Sequence, residues 1–155
     1  MAAIDIGLKQ APVDSALAAG STYIVESNPA NLAGKITSID IKCYNNCTGI
    51  KVAIFQSTGT NKFTARSVAV IGDLATGLHE GVAVDLAVEI GDYIGVFAAT
   101  GNIYAKGGTS PGDWYLAGDQ TACEATTFST WNDNLYLWGD GKEPGAGGSR
   151  GIIIS

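Results

Sequence analysis

The stretch "GTSPG" at 108–112 has the spacing of a nucleophile elbow, in which a serine on a sharp strand-to-helix turn attacks an acyl carbon. Two features defeat that reading. No helical pattern follows Ser110, and Pro111, whose backbone would have to donate to the oxyanion, carries no N–H. His79 is the one histidine of the chain and sits in "GLHEG", a turn entering a strand. A triad needs that ring beside a nucleophile and a carboxylate, and the sequence places neither there. No catalytic residue is expected, and with it no enzymatic activity.

Three cysteines and one histidine invite a zinc reading. Cys43 and Cys47 have a permitted spacing, but the second short-range ligand pair is missing. The odd count speaks for free, buried thiols, with one bridge involving Cys123 as the alternative. Asp73, Asp92, Asp113, Asp119, Asp133 and Asp140 each adjoin Gly or Asn, where aspartate caps turns with its own side chain. Calcium would require such loops to converge, and no EF-hand loop is present. The expectation is no metal and no cofactor. Asn46-Cys47-Thr48 reads as a glycosylation sequon, which matters only in a secreted eukaryotic protein.

The aromatic residues are more informative. Trp114, Trp131 and Trp138 all fall late in the chain, with Tyr104, Tyr115, Phe128 and Tyr136 among them. Flat rings beside Asp and Asn hold sugars in many β-sandwiches, which makes Trp114, Tyr115, Trp131 and Trp138 a candidate glycan platform. Rings of the same kind also build cores and subunit interfaces, and that plainer reading carries more weight.

The elements that must position these residues are short strands. In "GVAVDLAVEI", Val82, Val84, Leu86, Val88 and Ile90 point one way while Ala83, Asp85, Ala87 and Glu89 point the other. That alternation marks a strand with one buried face. Gly91-Asp92 then leads into "YIGVFAAT", apolar on both faces and expected to be central, the two forming a hairpin. "GKITSIDIKCY" and "TGIKVAIFQS" form a second expected hairpin across Asn45-Asn46, since asparagine tolerates the left-handed backbone of tight turns. "STYIVES", "NKFTARSVAVIG", "NIYAKG", "DWYLAG", "TTFST" and "NLYLWG" continue the series. Only "SALAAG" resembles a helical turn, and it is too short to matter.

Composition agrees. The chain has 155 residues, 46% hydrophobic and only 15% charged, with 21 glycines and no collagen-like period. The expected fold is an all-β, single-domain antiparallel β-sandwich, jelly-roll-like, in preference to a closed barrel. Residues 1–138 would form the sandwich with an N-terminal strand or arm, and 139–155 a Gly-rich linker and a C-terminal apolar strand. The formal charge is −6 and the basic residues are scattered singly, which excludes a phosphate-binding face and nucleic acid as a partner. No apolar run is long enough to span a membrane as a helix. "MAAIDIGLKQAPVD" lacks a basic start followed by an apolar stretch, so no signal peptide is read there.

At "NPANLAGKITSIDI", "FTARSVAVIG", "VEIGDYIGVF" and "GDWYLAGDQTAC" the chain resembles a β-sandwich module of phage and phage-like structural proteins and of uncharacterised bacterial surface proteins. The resemblance spans roughly Ser21 to Trp138 and consists of strand-and-turn phrases, so it transfers no site residues. It implies a virion-surface, cement or fibre role, with synthesis in the host cytoplasm. The expected partners are other copies of the chain, a trimer being favoured, together with a capsid or other virion protein; a glycan is the alternative partner. The chain then ends on "GSRGIIIS". Ile152, Ile153 and Ile154 are expected to be buried as a strand, added either to a neighbour's exposed sheet edge or to their own sheet.

Overall fold

The computed structural model describes residues 3–8, 15–106, 113–130 and 133–142. Among the described residues, fourteen strands follow one another along the chain. They are β1 (Ala3–Leu8), β2 (Ser15–Ala18), β3 (Ser21–Ile24), β4 (Gly34–Cys43), β5 (Cys47–Gly59), β6 (Lys62–Leu74) and β7 (Gly77–Val88). There follow β8 (Tyr93–Phe97), β9 (Asn102–Lys106), β10 (Trp114–Ala117), β11 (Thr126–Thr127), β12 (Ser129–Thr130), β13 (Asn134–Leu135) and β14 (Leu137–Lys142). Among the described residues there is no helix, and so none long and apolar enough to cross a membrane. The "SALA" stretch that resembles a helical turn is strand β2, because pairing with β9 outweighs a propensity only one turn long.

Two antiparallel sheets pack face to face, giving the all-β sandwich expected from the strand pattern. One sheet runs β1-β14-β4-β9-β13, with β7 on the other edge of β4 and β2 on β9. The other runs β11-β6-β5-β8-β3-β10-β12. Between them lie Ile4, Ile6, Ile36, Ile39, Ile41 and Leu137 from the first sheet, against Ile50, Val52, Ile54, Ile94 and Val96 from the second. A smaller core of Ile24, Ala53, Phe55, Phe63 and Phe128 covers the far face of the second sheet. β5 is therefore buried on both faces. β8 lies between β5 and β3, the central place that its two apolar faces predict.

The two expected hairpins do not form. β4 and β5 belong to different sheets, as do β7 and β8. In each pair the two strands send their inward apolar rows into one core from opposite sheets, Ile36, Ile39 and Ile41 with Ile50, Val52 and Ile54, and Leu86 and Val88 with Ile94 and Val96. The turn residues serve these crossings. Asn45 exchanges hydrogen bonds with Asn102, the Asn102 N–H donating at 2.7 Å, and Asn46 Oδ1 accepts the Thr76 N–H at 3.0 Å. At the other crossing Gly91 has φ 87°, a left-handed value that suits glycine, and its N–H donates to Ala30 O. The hairpin that does form joins β5 to β6, with Asn61 at φ 56° in its turn.

Alternation along β7 holds as read from Val82 to Val88, but burial is graded. Leu86 and Val88 are buried, Val82 and Val84 half-buried, and Ile90 lies beyond the strand, 68% exposed. Gly139 to Lys142, read as the start of a linker, instead complete β14, which pairs with β1 and β4 along its length. Glycine is required there by packing: a Cβ on Gly141 would meet Lys35 O at 1.8 Å.

Candidate functional site

Sheet edges carry unpaired N–H and C=O groups, so each edge must be capped or used. The edge at β1 is capped. Asn31 Oδ1 accepts the Asp5 N–H at 3.0 Å and its amide donates to Ala3 O at 3.2 Å, while Gly7 and Asn28 pair through N–H to O at 3.0 Å. β6 is treated differently. β5 occupies one of its edges, and β11 occupies the other only at Lys62 and Phe63. The Ala65 N–H donates to Cys123 O at 2.9 Å, and the Ala125 N–H to Thr64 Oγ1 at 2.8 Å. From 66 to 74, no strand among the described residues pairs with that edge. β7 likewise pairs with β4 alone among them.

Where the β6 and β7 edges meet, side chains hold them. Ser67 Oγ–H donates to Ala87 O at 2.8 Å. Arg66 grips Asp92 with Nε at 2.5 Å and an Nη at 3.2 Å, and Asp92, 2% exposed, also accepts the Glu89 N–H at 2.9 Å. The hydrogen bond to Asp92 raises the pKa of Arg66 still further, so the guanidinium stays charged. Beside it a cavity of about 420 Å³ lies along the β6 edge, with Thr64, Arg66 and Val68 on one side and Thr121, Cys123 and Glu124 on the other. Val68 and Val70, on the outward face of β6, are 46% and 75% exposed. A strand edge that borders β7 without forming a backbone ladder, an adjoining groove and two exposed β-branched side chains are parts suited to receiving another strand. The sequence carried a signal for this: Val68 and Val70 alternate with Ala69 and Ile71, so β6 is apolar on both faces.

The residues of the glycan platform are not gathered. Trp114 and Tyr115 are neighbours in β10 and so point to opposite faces. Trp114 packs in the smaller core, edge-on to Phe63 at 4.8 Å and Tyr93 at 5.1 Å, with its indole N–H donating to Asn61 Oδ1 at 2.7 Å. Tyr115 faces the main core and stacks on Tyr23 at 6.4 Å. Trp138 lies on the other sheet, between Gly7 and Asp40 and half-buried on its outer face. Trp131 lies outside the described residues, as do Ser110, Pro111, Ile152, Ile153 and Ile154.

His79 is half-buried on β7, its Nε2 within 2.7 Å of Ala75 O. The loop aspartates cap and clamp. Asp73 accepts the Gly49 N–H, Asp119 binds Lys51 and Thr121, and Asp140 accepts the Ser38 hydroxyl. Asp113 is fully buried and accepts the N–H groups of Glu26 at 3.0 Å and Leu135 at 2.5 Å. Burial nevertheless pushes its pKa up to about 7, the two N–H groups opposing and the Glu26 and Asp133 carboxylates adding to the shift. Among the described residues, no three His, Cys, Asp or Glu side chains are grouped to hold a metal ion. All three cysteines are free, Cys43 and Cys47 buried and Cys123 half-buried. No known family model matches this chain, and no curated protein is similar enough to it to count as a relative.

Proposed function

We propose that this chain is a non-enzymatic structural subunit of a virion, a capsid decoration protein that forms a small symmetric oligomer, with a trimer favoured, and binds the capsid lattice. The observation that carries the assembly reading is the contrast between edges. The molecule caps β1 with two asparagines yet leaves the β6 edge from 66 to 74 without a strand partner among the described residues, flanked by exposed Val68 and Val70. An edge of that kind is a hazard unless another strand occupies it. The virion assignment adds the resemblance of the strand-and-turn phrases to phage structural modules.

The test is sedimentation velocity on the isolated protein, paired with cosedimentation on capsid shells that lack it. A defined oligomer that binds the shells is expected. A strict monomer with no affinity for any shell overturns the reading. The carbohydrate-binding alternative has less to stand on, because Trp114, Tyr115 and Trp138 face three different surroundings.

A further inference from the structure

Cys43 ends β4 in one sheet and Cys47 begins β5 in the other, so the crossing between the sheets starts and stops on a thiol. Both are buried, at 0% and 1% exposure, and both lie in the main core. Their positions converge on the start of β9. Cys43 is paired with Ile103 in the ladder, and Cys47 Sγ lies 3.2 Å from Asn102 O. The loop between them is held from outside by the two bonds between Asn45 and Asn102. Two thiols from opposite sheets thus meet, Cys43 interacting with Cys47, where the Asn45 side chain and Cys47 Sγ itself both bond to Asn102.

We propose that Cys43 and Cys47 are a dithiol modification site that a small disulfide oxidant such as glutathione disulfide converts to a cystine joining the two sheets. Cys47 is the entry point, because it lines a cavity of about 310 Å³ with Asn46, Thr48 and Asp73. Its thiolate attacks one sulfur of glutathione disulfide, forming a Cys47–glutathione bond and expelling one glutathione thiolate. The Cys43 thiolate then attacks the Cys47 sulfur and expels the second glutathione. The two cysteine protons end on the two glutathiones, so two thiols are oxidised and one disulfide reduced. Burial and the neighbouring Cys47 push the Cys43 thiol up to about 12, which penalises its thiolate but not the uncharged cystine. The second step is therefore the slow one.

The test equilibrates the full chain with glutathione buffers of increasing oxidised fraction, native and in urea, then quenches with acid and alkylates. Cleavage after Lys42 and Lys51 releases one peptide holding both cysteines. Expected is a native peptide lighter by two hydrogens and free of alkyl groups, with an equilibrium constant about tenfold larger than in urea. The oxidised protein should also melt higher than the reduced one. A peptide carrying two alkyl groups, or glutathione alone, overturns the proposal. So does an equal constant in urea, which would mean that chain proximity and not the fold brings the sulfurs together. The Cys123→Ala variant should behave as the parent, and a cross-link in the parent between the 43–51 peptide and the peptide holding Cys123 would assign the bridge to Cys123 and overturn the proposal.

Discussion

Asp113 is the residue whose chemistry is furthest from its ordinary state. Its carboxyl ionises near pH 7 in the fold and at its ordinary 3.8 when the chain is exposed to water. Through that interval the folded state holds its proton more tightly, so stability falls as pH rises from about 4 to about 7 and then levels. The full span corresponds to a loss on the order of 4 kcal/mol. Denaturant titrations across the window should show the decline, and Asp113→Asn should flatten it. That variant starts lower, because the Glu26 and Leu135 N–H groups bond different carboxylate oxygens, an amide turns one of these acceptors into a donor, and one unsatisfied N–H costs about 1–3 kcal/mol. Parallel pH profiles for the two proteins would remove Asp113 as the cause. The thiols offer a second comparison at this scale. A haloacetamide on the native protein should modify half-buried Cys123 well before buried Cys43 and Cys47, as read by peptide mass. Equal rates would mean that the crossing opens freely.

Among the elements, β6 and β8 make opposite demands. β8 is central, and Gly95 within it leaves no room: a Cβ would meet Tyr23 O at 2.5 Å and a Phe55 ring carbon at 2.7 Å. Gly95→Ala should therefore cost about 1–3 kcal/mol, measured by chemical denaturation. A neutral result would show that β3 can move away from β8. Val70, 75% exposed on β6, should behave in the reverse way. Val70→Lys is expected to leave stability within about 0.5 kcal/mol of the parent while weakening self-association, since an edge lysine discourages strand pairing. Unchanged sedimentation would clear this edge of any assembly role. These two strands also show what the sequence makes legible. Alternation in β7 and the doubly apolar β8 reveal strands and their inward faces, because side-chain period is a local property. Whether a Gly-Asp or Asn-Asn turn closes a hairpin or crosses between sheets depends on partners such as Ala30, Asn102 and Arg66, distant in sequence. The scatter of Trp114, Tyr115 and Trp138 was hidden for the same reason.

At the scale of the whole molecule, the position of β14 decides where Ile152, Ile153 and Ile154 can reach. β14 ends at Lys142, which pairs with Lys35, and Lys35 in turn pairs with Ala87 of β7. The end of β14 thus lies two strand spacings, about 10 Å, from the β7 strand that borders the β6 edge. Residues 143–150 can span up to about 26 Å when extended, enough to carry Ile152, Ile153 and Ile154 to that edge on the same subunit or onto a neighbour. Burying one isoleucine contributes about 1.5–3 kcal/mol, whereas ordering the glycines before it costs conformational entropy. At least two isoleucines must find pockets for the segment to stay bound. Deleting residues 152–155 is expected to weaken assembly, read by sedimentation velocity, more than it lowers the melting temperature of the isolated fold. Normal assembly with a much lower melting temperature would make the segment a strand of its own sheet and sink the exchange between subunits. If neither property changes, the three isoleucines contribute to neither the fold nor the assembly, and the β6 edge must be filled by the capsid protein or left open.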